Sequence, residues 1–492
     1  MPELTIISGE KKSVYSFSGA MNLAKALCDA GYPLVQPCGG RGVCGKCAVE
    51  VSGDISEPDV QEQKLGVRLA CRTVLNGDAV VSLPDSGSMQ QIETGSSVKV
   101  CSVAPLGSGF GVAVDIGTTT VAAKLLDLST GNELSSSARI NPQTAIASDV
   151  MGRIGSALAG ELDQLKSLIS DAISEMVAEL CSDAEISRER ISCMVITGNT
   201  TMLYLLTGKN PETLSHFPFQ ADCLFGFETE LFGCRTYLPA CMNAFVGADI
   251  TCAVLASGMT EHPETSLLCD IGTNGEIALW KDGTLYVTST AAGPAFEGAG
   301  ISCGCGSIPG AIDRVTLDDG AVKVHTIGDV PAVGLCGSGL IDSIACFLKN
   351  GGIDETGAVD ADDLPLSNGV VLMPKDVRSV QLAKAAIAAG IITLMEVAEI
   401  ESEEITCLYI AGGFGSHLNV ESAASIGLIP EELAGRVKVI GNGALTGAEQ
   451  MLLNREIIES ANSLVNASRH INLGGNPQFN NNYMEQMLFP EQ

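Results

Sequence analysis

One strand–turn–strand unit occurs twice in this chain, as AVDIGTTTVAAKLLD at 113–127 and as LCDIGTNGEIALWKD at 268–282. Each copy runs an apolar strand into an aspartate, turns on a glycine flanked by hydroxyls or an amide, and leaves on a second apolar strand. Two copies of one hairpin predict two similar α/β halves that face each other. The backbone N–H groups and hydroxyls of such turns suit phosphate oxygens, and the aspartate beside them suits Mg²⁺ held through water. Asp115, Gly117, Thr118 and Thr119 carry this chemistry in the first copy; Asp270, Gly272, Thr273 and Asn274 carry it in the second. A single turn of this kind is common, but two in matched contexts point to a clamp for a triphosphate.

A third glycine-rich turn, IAGGFG at 410–415, follows an apolar strand. Its Gly412, Gly413 and Gly415 leave room for a flat base and ribose against the backbone. The GxxxxGK[ST] loop of the commonest alternative nucleotide fold is absent from the chain. Around these turns the region 108–492 alternates strands and helices. Strands are expected at 111–116, 121–128, 192–197, 267–270, 276–280 and 285–288, with glycine-rich strand–turn units at 407–415 and 437–443. Helices are expected within 151–181, 337–349 and 378–398, and 474–483 reads as a loop leading into a short C-terminal helix.

The first 85 residues follow another pattern. A hairpin signal at 3–17, a helix at 21–30 and strands at 47–51 and 79–83 suit a small β-grasp domain, and the polar stretch 86–107 reads as a linker. Within this domain Cys38, Cys44 and Cys47 stand in PCGGRGVCGKC, and Cys71 follows in RLACRTVL. Four thiolates converging on two irons hold a [2Fe–2S] cluster, and this spacing is closely related to that of plant-type ferredoxins.

Composition narrows the partners. A formal net charge of −30 opposes binding to nucleic acid or to an anionic membrane surface. The longest apolar runs fall short of the ~20 residues a bilayer requires, and the N-terminus lacks the charged start and apolar stretch of a signal peptide. The 18 cysteines are dispersed along the chain, which fits a reducing, cytoplasmic setting. Cys193, Cys252, Cys269 and Cys407 read as small core residues. Cys303 with Cys305, and the loose set Cys223, Cys234 and Cys241, lack metal-ligand spacing. His417, just after the third turn, reads as a solvated or capping residue, and no Ser/His/Asp nucleophile set is discernible.

The three turns together resemble the superfamily of acetate and sugar kinases, heat-shock chaperone ATPases and actin. That resemblance implies two RNase H-like lobes with ATP in the cleft, and it places 197–200 and 334–339 at the junction. Joined to a [2Fe–2S] domain, the architecture looks like the reductive activators of corrinoid proteins. The likeness rests on CGGRGVCGKC, both DIGT turns, GPAFEGAGISCG at 293–304 and IAGGFGSHLN at 410–419. The implied fold is an α+β, β-grasp ferredoxin-like domain followed by an α/β, actin-like, two-lobed ATPase. The implied activity is ATP-dependent transfer of one electron to the Co(II) corrinoid of a methyltransferase-system partner, restoring Co(I). Asp115 and Asp270 are then the expected catalytic carboxylates. Ser302, in a partner-facing segment at 297–305, is the hydroxyl expected near the corrinoid. A ferredoxin or flavoprotein is the expected electron donor, and a homodimer is compatible with the resemblance. Two other readings stay open on the sequence: an ATP-gated activator of a different low-potential enzyme, and a non-catalytic nucleotide-sensing ferredoxin-like protein.

Overall fold

The computed structural model describes residues 1–8, 11–32, 34, 42, 47–65, 67–83, 104–318, 320–413 and 417–491. Most of the expected linker, 86–103, lies outside them.

In the N-terminal part, strand Glu3–Ser8 pairs antiparallel with Lys11–Ser16 and parallel with Val74–Leu83. The latter runs antiparallel to Ala48–Ile55. Alternation along these strands buries Leu4, Ile6, Leu75 and Val81 against Leu23, Ala26 and Leu27 of the helix Leu23–Asp29. Asn22 starts that helix, its side chain accepting from the Lys25 N–H at 3.2 Å. This is the β-grasp arrangement the hairpin and helix signals predict.

The rest of the chain builds two six-stranded sheets with the same internal order. In the first, Phe110–Ile116 sits centrally, with Thr120–Asp127 and Asn132–Ile140 antiparallel on one side and Ile191–Gly198 parallel on the other. In the second, Ser266–Ile271 is central, flanked by Gly275–Lys281 and Thr284–Thr290 on one side and by the parallel strand Cys407–Ala411 on the other. The central strands are near-continuous apolar runs because helices and neighbouring segments cover both of their faces. The two-lobed, RNase H-like architecture follows from this repeated order.

The structure adds elements that periodicity does not reveal. A three-stranded sheet built on Ala311–Asp318 and Ala321–Thr326 is set between strands of the second lobe. At the C-terminus, much of the stretch expected as loop is the helix Pro477–Glu485. Its polar sequence hides the helical period, but Asn476 caps Gln478 and Phe479, and Pro477 stands at the first helical position. Asn482 anchors it to Thr393 and Glu396, at 3.2 Å each. Among the described residues one helix, Pro374–Ala398, is long and apolar enough to cross a membrane. It lies against the second sheet with Ile387 and Ile391 buried in that lobe's core.

The helix Gly443–Leu453 ties the lobes together. It leaves the second sheet, yet Leu445, Ala448, Met451 and Leu452 share a core with Ala113, Ala122, Leu126, Cys193 and Val195 of the first. Buried Lys124 of the first sheet reaches Glu449 of this helix at 3.2 Å and Glu133 at 3.0 Å. The helix also crosses Ala248–Ser257 at Gly447, where a Cβ would stand 2.1 Å from the carbonyl oxygen of Cys252. Gly447→Ala is therefore expected to force the two helices apart and cost about 1–3 kcal/mol, as overpacked cores do. A lowered denaturant midpoint is the expected reading, and an unchanged midpoint would show that the crossing tolerates separation.

Candidate functional site

Both DIGT turns open onto the cleft between the lobes. Asp115 and Asp270 stand near the ends of their central strands, both half-buried. Two further acids join them: Asp249, in the first turn of the helix Ala248–Ser257, and Glu276, at the start of the strand Gly275–Lys281. Burial pushes Asp115, Asp249 and Asp270 each up to about 7, and each gains a further rise from a neighbouring carboxylate. Burial, then the charges of Asp249 and Asp270, also raises Glu276 well above the ordinary carboxyl range. Asn442 opposes the trend at Asp115 by donating to Oδ2 at 3.0 Å, while its own Oδ1 caps Leu445 at the start of the lobe-joining helix.

Fixed polar groups hold the first turn. Asn141 donates to the Gly117 carbonyl at 2.8 Å and takes its backbone N–H to the Thr119 carbonyl at 2.8 Å. The Thr118 hydroxyl accepts from Asn199 at 3.2 Å, which brings the 197–200 segment to the turn. Behind it lies Arg153, fully buried, donating to the carbonyls of Thr118 and Ala147 and to Gln143 Oε1. Burial pulls this guanidinium down to about 9. A positive group set so deep against the back of a phosphate-type turn favours an anion in front of it.

In the second turn the Gly272 N–H donates to the Asn274 carbonyl at 3.1 Å, and the Gly293 N–H to the Thr273 carbonyl at 2.9 Å. Gly412 follows the neighbouring strand at φ +92°, where a Cβ would lie 2.6 Å from Asp270 Oδ1. A Cβ on Gly413 would meet nothing within 4 Å, leaving an open face beside the turn. Gly415 lies outside the described residues. Past it, His417 and Asn419 line a cavity of about 330 Å³ with Asp313, Arg314 and Asp342. Ser302 is exposed, and its N–H and hydroxyl both bond to Asp376 Oδ1, at 2.9 and 3.0 Å.

Of the four cysteines, Cys38 and Cys44 lie outside the described residues. Cys47 and Cys71 are brought together: the Ala70 N–H donates to the Cys47 carbonyl at 2.8 Å, and the two thiols are hydrogen-bonded. That thiol bond, helped against burial by backbone N–H groups of Cys71, Cys47 and Ala70, draws Cys47 down to about 7. Paired thiols among inward-pointing amides suit thiolate ligation. The Cys71 segment is braced by buried Glu62, whose Oε1 accepts from Arg68 Nε at 3.0 Å, the Leu69 N–H at 2.9 Å and the Thr73 hydroxyl at 3.2 Å. Among the described residues, no group of three or more His, Cys, Asp or Glu converges closely enough to hold a metal ion directly.

A carboxyl raised on folding stays protonated in the native chain after its unfolded counterpart, near 3.9 for Asp, has ionised. Stability from Asp115, Asp249 and Asp270 is thus full below about pH 4 and is lost as pH climbs through about 7. The melting temperature of the nucleotide-free protein is expected to fall between about pH 5 and 8, and Asp270→Asn is expected to flatten that fall. A melting curve set that rises over this range would contradict the assignment.

Comparison with known proteins agrees with this division of the chain. Residues 6–76 match the family described as a 2Fe-2S iron-sulfur cluster binding domain. Residues 110–262 match the RACo middle region, and 264–492 match the C-terminal domain of RACo, the ASKHA domain. A corrinoid activation enzyme, RamQ, of Eubacterium limosum is 35% identical over 77% of this chain and 70% of its own length. A Co(II) methylated amine-specific corrinoid protein reductase of Methanosarcina barkeri is 26% identical over 77% of both chains. A solved structure of a reductive activator for corrinoid, iron-sulfur protein superposes with a TM-score of 0.73 at 27% identity, covering 99% of each chain. With its ferredoxin-type domain and its actin-like domain, this chain belongs to the family of corrinoid reductive activators.

Proposed function

We propose that the chain uses ATP to drive one electron onto the Co(II) corrinoid of a partner protein of a methyltransferase system, restoring Co(I). The observation that carries this reading is the meeting of two matched turns around four crowded carboxylates, on the same chain as the paired Cys47 and Cys71 thiols. Cys38, Cys44, Cys47 and Cys71 are the proposed ligands of a [2Fe–2S] cluster. That cluster supplies a one-electron carrier near about −400 mV, the plant-type value.

The cobalt(II/I) couple of a corrinoid is expected to lie lower still. Each ~59 mV of gap costs tenfold in equilibrium constant for one electron, so mixing alone delivers little Co(I). ATP helps only by favouring one conformational state over another. In the proposed state the lobes close on the triphosphate and the 297–305 segment grips the partner. There Ser302 offers a hydroxyl already held by Asp376, exposed and able to disturb the axial ligation of cobalt. Hydrolysis then releases the partner.

Within the cleft, Thr118, Thr119, Thr273 and Asn274, on the turns that Gly117 and Gly272 make, bind phosphate oxygens. Asp115 and Asp270 orient water and hold Mg²⁺ through it. Gly412, Gly413 and Gly415 lie beside adenosine, and the cavity at His417 and Asn419 offers room for its base. A ferredoxin or flavoprotein is the proposed source of the electron.

Anaerobic mixing of reduced protein with a Co(II) corrinoid protein tests the reading directly. Appearance of the Co(I) absorption band is expected with Mg-ATP and not without it, and Cys71→Ala is expected to abolish it. A band of equal size without nucleotide would remove ATP from the reaction. Ser302→Ala is expected to slow cobalt reduction severalfold while leaving nucleotide affinity alone, and undiminished reduction would take Ser302 out of the mechanism.

A further inference from the structure

Glu297 joins the two turns across the cleft. Its Oε2 accepts from the Thr119 hydroxyl of the first lobe at 2.6 Å, and its Oε1 accepts from the Thr273 hydroxyl of the second at 2.7 Å. One carboxylate thus holds both hairpins by the hydroxyls that a triphosphate needs. A hydroxyl has one proton to donate, so neither threonine can donate to Glu297 and to a phosphate oxygen together. Glu297 also places a negative charge beside Asp270, where it helps raise that carboxyl.

The chain just after Glu297 forms a short closed loop. Glu297 closes the single turn Pro294–Glu297, and Gly298 leaves that turn at φ +75°. Gly298 abuts the backbone of Cys305, where a Cβ would lie 2.6 Å from the carbonyl oxygen. The loop between them is pinned at Ser302 by Asp376. Movement of the Glu297 side chain therefore acts on a short closed loop with one exposed hydroxyl at its tip.

We infer that Glu297 is a positioning residue that occupies the phosphate-binding hydroxyls in the nucleotide-free protein and yields them to a nucleoside triphosphate. Taking over Thr119 and Thr273 frees the carboxylate and loosens the 298–305 loop behind it. This inference rests on the ATP reading above and adds to it the group through which nucleotide is sensed. A site held closed by an internal competitor binds its ligand more weakly by the fraction of molecules that are free. Removing the competitor tightens binding by the same factor.

The test is calorimetric binding of Mg-ATP to the full-length wild type, Glu297→Gln and Glu297→Ala, with melting temperatures recorded for each. Glu297→Ala is expected to bind about tenfold tighter, as a tie closed in nine molecules of ten requires. Glu297→Gln, whose amide oxygen can accept from one threonine but not both, falls between. In steady-state ATPase assays the KM for ATP falls with the dissociation constant, while kcat does not rise in proportion. Hydrogen exchange supplies a second readout: 298–305 amides speed up on adding Mg-ATP to wild type and are already fast in Glu297→Ala without it. Variants that fold yet bind Mg-ATP equally or more weakly would overturn the tie. A wild type that takes up no Mg-ATP at all would sink the ATP reading itself, and the tie with it.

Discussion

Four acids crowded into one cleft are the constraint around which this molecule is arranged. Asp115, Asp249, Asp270 and Glu276 arrive from four separate elements, and burial drives every one of them above its ordinary range. Asp115 sits in the first sheet and Asp270 and Glu276 in the second, so the crowding spans both lobes. The surrounding structure instead supplies directed donors: Asn442 on Asp115, and the Thr119 and Thr273 hydroxyls on Glu297. A cleft built this way is incomplete until positive charge enters it, which makes its conformation responsive to what it binds.

The two halves of the chain solve the problem of buried charge in different ways. In the N-terminal domain Glu62 is almost wholly buried, yet three donors, the Arg68 guanidinium among them, satisfy it. Burial pushes its carboxyl up, but the Leu69 and Asp59 N–H groups and Arg68 outweigh that and hold it below the ordinary range. It acts as a rigid brace for the segment carrying Cys71. In the cleft the acids crowd one another and stay raised despite their donors. One arrangement suits a part that must not move, and the other suits a part that must.

Much of this was legible in local sequence. Strand, turn and hydroxyl are written contiguously in each DIGT unit, so Asp115, Gly117, Asp270 and Gly272 could be read without knowing the fold. The same holds for the cysteine frame and for the glycines at 412 and 413. Glu276 stood within the second hairpin motif without being singled out, whereas Asp249 and Arg153 were missed for one physical reason. Each reaches the cleft or the back of its turn from a segment with no local signature, and only the packing of sheets and helices brings them there. A faint signal existed for Asn442, which stands between Gly441 and Gly443 after an apolar strand, repeating the grammar of the other turns. The expected C-terminal helix starts earlier than read because its capping residues, not its periodicity, start it.

The contact at Gly447 bears on how the lobes can move. A side chain there would have to occupy the space of the Cys252 carbonyl, so the two helices touch backbone to backbone. Such a contact permits rotation about the crossing point but resists sliding, since any translation drives main chain into main chain. The crossing is thus placed to act as a fulcrum, where a change of angle would be magnified towards the rim of the cleft.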